Sequence, residues 1–149
     1  MLGISLHALA QTAIFAAIEL DKSIRGKSQK LENFLKIQQW LLATKNALST
    51  KKTKEGHPKW YILPPGAIPL IKDVLIQTGF SSSCSAKRLK DIQQCNRYIQ
   101  QLRRKVNEIL SLFNQPKENA EKLKAFCSQL SKTALQHEIK DPFYRRLAA

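Results

Sequence analysis

Apolar residues recur at helical spacing along most of the chain, and five helices account for them. The first stretch, ISLHALAQTAIFAAIELDKSI (4–24), is alanine-rich and apolar on most sides, the pattern of a helix buried in a bundle or against a partner. It begins almost at Met1 with no polar tail before it, as expected of one piece of a larger assembly. Gly26 breaks the pattern, and Ser28 is placed to cap a second helix over about 29–48. Leu31, Phe34, Leu35, Trp40, Leu41 and Leu42 read as its core stripe. IPLIKDVLIQTG (68–79) makes a short third helix, with Pro69 tolerated in its first turn and Gly79 closing it. After the polar turn FSSSCS, the fourth and longest helix runs from Ser85 to Phe113. Its seam of Ile92, Cys95, Ile99, Leu102, Val106, Ile109 and Phe113 alternates steps of three and four. Asn114, Gln115 and Pro116 separate it from a fifth helix, in which Pro116 takes the first position and Glu118 and Glu121 favour the positive end. Leu123, Phe126, Cys127, Leu130 and Ala134 form its buried face. Pro142 ends it, leaving a tail (141–149) whose Phe143 and Tyr144 are free to dock.

One stretch does not fit a helix. Between the second and third helices stands KKTKEGHPKWYILPPG (51–66), where Gly56 and three prolines exclude regular helix. WYIL is the brief strand candidate in the chain. The expectation is an all-α protein: one helical domain over 1–149, a bundle of about five helices with a long basic loop at 49–66.

Composition narrows the class. The 149 residues are 43% hydrophobic, with only 5 Gly and 6 Pro, which fits a folded helical chain rather than a disordered one. The formal charge is +14, from 25 Lys and Arg against 11 Asp and Glu. Such an excess repels itself, so folding does not explain it, whereas a polyanionic partner does. Cys84, Cys95 and Cys127 are odd in number and form no CxxC pair, which excludes a disulfide framework or zinc ribbon and points to reduced thiols in a cytoplasmic protein. The first twenty residues lack a positive leader and a cleavage site, and carry His7, Gln11 and Glu19; neither a secretory signal nor a membrane span is expected.

No motif for catalysis stands out. His7, His57 and His137 are far apart and form no HxxxH or HExxH, and the glycines make neither a dinucleotide-binding nor a phosphate-binding loop. No pair of carboxylates on the basic segments is placed to hold magnesium. The expectation is no enzyme, no cofactor and no metal.

The basic groups, by contrast, are organised. Ten Lys or Arg lie between Lys22 and Lys59 against two acids, Glu32 and Glu55. Arg25, Lys27 and Lys30 come from the first connection, and Lys51, Lys52, Lys54 and Lys59 from the loop. On the long helix Lys90, Arg97 and Arg104 recur every seven residues opposite the apolar seam, widened by Lys87, Arg88, Arg103 and Lys105. The opposite pole of any soluble helix carries charge, but a merely solvated one mixes signs to gain i,i+4 pairs; residues 87–113 hold seven basic groups and two acids. These residues are the candidate nucleic-acid contacts. Gln93, Gln94, Gln100 and Gln101 could bond phosphate, sugar or base edges, or serve as neutral helix surface. In the loop, the lysines read as a grip on phosphate and Trp60 as a hydrophobic plug, with base stacking by Trp60 or Tyr61 the alternative.

The opening helix LHALAQTAIFAAIEL, the basic run DKSIRGKSQK and the helix AKRLKDIQQCNRYIQQLRRKVNEIL together resemble the small subunit of a Class 1 CRISPR surveillance complex, in its type I-D and I-B forms. The resemblance is one of format over the whole chain and carries no short motif, so it assigns no residue a role. It implies a fold like the C-terminal helical domain of the large subunit and a part in antiviral defence. It also implies several copies stacked beside other subunits, their basic faces lining the guide RNA–target DNA complex or the displaced single strand. Two other classes stay open. A DNA-binding regulator or plasmid accessory protein would use a helix-turn-helix over Ile68–Tyr98, with Gly79 in the turn and Lys87 and Arg88 leading the second helix; the turn is long for that motif and the second helix exceeds a usual recognition helix. A protein-interaction scaffold would dock through the apolar first helix.

Overall fold

The computed structural model describes residues 4–63, 66–79 and 92–140, with side chains in the last segment from Cys95 onward. Among them lie five α-helices: α1 (Leu6–Ile24), α2 (Glu32–Ala47), α3 (Ala67–Gln77), α4 (Ile92–Phe113) and α5 (Ala120–Lys140). The fold is all-α, and all five helices contribute to one apolar core. The WYIL segment is a 3₁₀ turn (Lys59–Ile62), not a strand. Pro58 fixes its entry, and Tyr61 N–H to Pro58 O (3.0 Å) and Leu63 N–H to Trp60 O (3.1 Å) wind it. Among the described residues no helix is long and apolar enough to cross a membrane.

α1 starts where Ser5 Oγ accepts the N–H of Ala8 at 3.1 Å. Its buried face is Leu9, Ala10, Ala13, Ala16, Ala17 and Leu20. The small alanines allow a close antiparallel approach of α5, near enough for the Ser131 hydroxyl to donate to the Ala10 carbonyl at 2.8 Å. At one end Lys124 Nζ reaches Asp21 at 2.7 Å, and at the other His7 lies 3.8 Å from Glu138. The burial expected on most sides of this helix holds for one face only, because Ile14, Phe15 and Ile18 are 41%, 52% and 44% exposed on its outer side.

α2 corrects the expected cap and stripe. Ser28 Oγ accepts only the N–H of Lys30, and the helix begins later, at Glu32. The cap comes instead from α1, where the Glu19 carboxylate accepts the Asn33 N–H at 2.6 and 3.0 Å. A negative group there also meets the positive end of the helix. The buried positions are Phe34, Ile37, Trp40, Leu41 and Thr44, while Leu35 and Leu42 face solvent at 52% and 47% exposure. Steps of three and four from Phe34 to Ile37, Leu41 and Thr44 hold one face toward the core, and Leu35 and Leu42 fall off its edge.

In α4 the expected seam is buried from Cys95 through Ile99, Leu102, Val106, Ile109 and Phe113. Residues 85–91 of the expected helix lie outside the described part. Phe113 stacks on Phe34 with centroids 4.7 Å apart and meets Phe126 edge-on. The C-terminus of α4 therefore lies beside the N-terminus of α2. α5 begins at Ala120 rather than Pro116, because residues 114–119 form turns. Asn119 donates its side-chain amide to the carbonyls of Leu112 (3.3 Å) and Gln115 (3.1 Å), tying the turn to the end of α4. The expected face of α5 is buried, joined by Ser131 and Thr133. α3 packs on α5, where His137 Nε2 lies 2.7 Å from Asp73 Oδ2, and it closes on Gly79 at φ +82. The tail 141–149 lies outside the described residues.

Candidate nucleic-acid interface

The basic loop is a built arm rather than a slack connector. Lys52 and Pro58 pair as an isolated antiparallel bridge. Lys59 N–H donates to Lys51 O (2.9 Å), Thr53 N–H to His57 O (2.7 Å), and Gly56 N–H to Thr53 O (3.0 Å). This is a three-residue hairpin loop whose last residue, Gly56, takes φ +81, open to glycine and strained for other residues. Its base is held by Trp60, whose N–H donates to Ser49 O at 3.1 Å. The Trp60 indole is 7% exposed, and its Nε1–H donates to Asn96 Oδ1 on α4 at 2.9 Å. Its position is that of the plug.

That bond places two of the candidate clusters side by side. Lys51, Lys52, Lys54 and Lys59 are all exposed on the arm, and Arg97, the residue after Asn96, is exposed on α4. Arg103 and Arg104 are exposed farther along, about 10 Å from Arg97 at helical rise. No ion pair within the described residues engages Arg97, Arg103 or Arg104. Lys105 differs: it is half-buried and pairs with Glu108 at 3.5 Å. Arg25, Lys27 and Lys30 stand in the α1–α2 connection, at the other end of α2 and about 24 Å from the arm along its sixteen residues. There Arg25 is already paired with Asp21 at 3.3 Å, so the structure does not bring this cluster to the arm. Lys87, Arg88 and Lys90 lie outside the described residues, as does most of the connection on which a helix-turn-helix would turn.

Several of the acids are engaged within the fold. Asp21 is engaged by Lys124 and Arg25, Asp73 by His137, Glu32 by Lys36, Glu108 by Lys105, and Glu19 by the backbone of α2. The Lys124 hydrogen bond foremost, against a burial penalty, holds the Asp21 carboxyl below its ordinary value of 3.8, and the charges of Arg25, Lys124 and Lys27 add to it. On the arm, Glu55 is held below its ordinary 4.5, first by its own backbone N–H, then by Thr53 and, more weakly, by the charge of His57. It is the one acid of the arm, against Lys51, Lys52, Lys54 and Lys59.

Pattern reading did not single out the exposed ring pair of the arm. Tyr61 is 63% exposed and stacks on His57, with centroids 5.0 Å apart and planes 14° from parallel. His57 is itself exposed, and its stacking on a ring four residues on was not legible in the string. Among the described residues no three His, Cys, Asp or Glu side chains gather as a metal site. A recess between Trp40, Thr44, Ile71, Val106 and Phe126 has room for about one water and is apolar. Cys95 and Cys127 are free and buried, and burial, aided by Glu19, pushes the Cys127 thiol up to about 12.

Comparison with protein-family models, with curated proteins and with solved structures gives no match to this chain.

Proposed function

We propose that the protein is a non-catalytic nucleic-acid-binding module that grips DNA or RNA backbone through the lysine arm and the outer face of α4, inside a larger cytoplasmic complex. One observation carries this reading. Asp21, Asp73 and Glu19 are each engaged by a helix end or by a basic or histidine neighbour, while the lysines of the arm, Arg97, Arg103 and Arg104 stand exposed with no ion pair among the described residues. Neutralising phosphates offsets the self-repulsion that such an arrangement costs. In the setting the CRISPR resemblance suggests, the complex is a surveillance complex, with copies side by side along target or displaced DNA. The open apolar stripe of Ile14, Phe15 and Ile18 supports a protein neighbour in that setting. It equally supports a second reading, a helical scaffold that docks other proteins through α1.

Anisotropy titrations of labelled single strands and duplexes of unrelated sequence, from low to high salt, test the proposal. The expected result is binding with little sequence preference and a log–log salt slope of about −1 per phosphate engaged. A flat salt response overturns it. Absence of any binding, together with α1-dependent capture of a protein neighbour, moves the assignment to the scaffold.

A further inference from the structure

We infer that the His57–Tyr61 ring pair is a stacking platform for an unpaired base, so that the arm takes a single strand rather than duplex. This deepens the proposed function and rests on it. The fold does not need these rings: Trp60 plugs the arm's base and bonds Asn96, and the backbone bonds of Ser49, Lys51, Thr53 and Gly56 close the arm. Tyr61 nevertheless lies 63% exposed with Ile62 beside it at 79%. The fold thus leaves an aromatic and an aliphatic side chain uncovered next to each other on a basic arm.

The geometry suits a base. The Tyr61 and His57 planes are 14° from parallel at 5.0 Å, and the edge-on contact of Trp60 with Tyr61, at 5.9 Å and 61°, steadies the ring from the core side. A flat π-surface held in place before binding loses little freedom when a base is added to it. Lys51, Lys52, Lys54 and Lys59 stand exposed on the same arm, and basic groups beside a stacking surface are the combination that single-strand grooves use. Duplex bases have their faces covered by their neighbours, so the rings offer duplex nothing beyond the lysines.

The test compares the full chain with Tyr61→Ala, His57→Ala and Tyr61→Phe, titrated against three probes. These are oligothymidine of about fifteen nucleotides, a base-free deoxyribose-phosphate oligomer of the same length, and a duplex of matched phosphate count. Tyr61→Ala is expected to weaken oligothymidine binding roughly 5- to 100-fold while leaving the base-free strand, the duplex and the salt slope unchanged. Tyr61→Phe should keep wild-type affinity. If Tyr61→Ala binds oligothymidine as the wild type does while salt-dependent binding persists, the platform is wrong and the basic-face reading stands. Equal weakening on strand and duplex also overturns the platform. If the wild type binds none of the probes, the proposed function fails, and the platform with it.

Discussion

The indole N–H of Trp60 donates to Asn96 Oδ1 across 2.9 Å and 36 residues of sequence. Through it, an arm that would otherwise hang from the end of α2 is fixed against α4, beside Arg97. The two residues therefore set both the stability of the arm and the continuity of the basic surface.

Trp60→Ala should cost about 3–5 kcal/mol in urea or thermal unfolding, as expected for a buried aromatic. Asn96→Ala leaves the indole in place and should cost about 1 kcal/mol. In both variants stability should fall before nucleic-acid affinity does. Lost affinity at unchanged stability would make Trp60 a contact residue instead of a plug.

Charge reversal separates the basic surface from general charge. Arg97→Glu with Arg104→Glu should reduce the salt slope of binding by about 2, one for each phosphate contact removed. Lys132→Glu, exposed on α5, changes net charge without touching the proposed face, so its slope should match the parent. Equal slopes in all these variants would exclude the α4 face as the contact.

The acids that order the bundle have distinct signatures. Glu19→Ala removes the cap of α2 and should cost about 1–2 kcal/mol in denaturant melts. Asp21 behaves differently, because Lys124 holds its folded-state pKa below the ordinary 3.8. A depressed carboxyl favours folding above its unfolded pKa, and that gain is lost as pH falls through the folded value. Asp21→Asn should therefore lower the urea midpoint at neutral pH, with the gap to the parent closing below about pH 4.

Cys127, with its thiol pushed up to about 12 and its side chain buried, should resist iodoacetamide in the native protein at about pH 8 and react once unfolded. Peptide mapping reads this directly. Native modification of Cys127 would show that α5 opens from α1 on the labelling timescale.

What could be read from the chain alone divides by range. The α4 seam was legible because Cys95 to Phe113 alternates steps of three and four without a break, and α5 was legible because Leu123, Phe126, Cys127, Leu130 and Ala134 fall on one helical face. The α2 stripe was partly so: Leu35 and Leu42 look like core residues by type, and only the orientation of α2 against α4 puts Ile37 inside and those two outside. The Glu19 cap escaped because it comes from fourteen residues upstream, on another helix, where local rules favour Ser28. Within the candidate interface, the exposed lysines and Gly56 were visible in the string. The docking of Trp60 on Asn96 and the stacking of Tyr61 on His57 depend on how the arm folds back.

The pairing of α1 with α5 has a consequence for synthesis. Its bonds span 103 residues from Asp21 to Lys124 and 121 from Ala10 to Ser131, so closing them comes late and slowly. Until α5 has left the ribosome, Leu9, Ala13, Ala16 and Leu20 lack their main cover, and α1 exposes them together with Ile14, Phe15 and Ile18. A chain cut at Asn119 should bind a hydrophobic dye and aggregate, whereas the full chain should not; a cut chain that stays monomeric and dye-free would show that α2 alone shelters α1. Of the five helices, α1 is the one separated from its main partner by the longest stretch of chain.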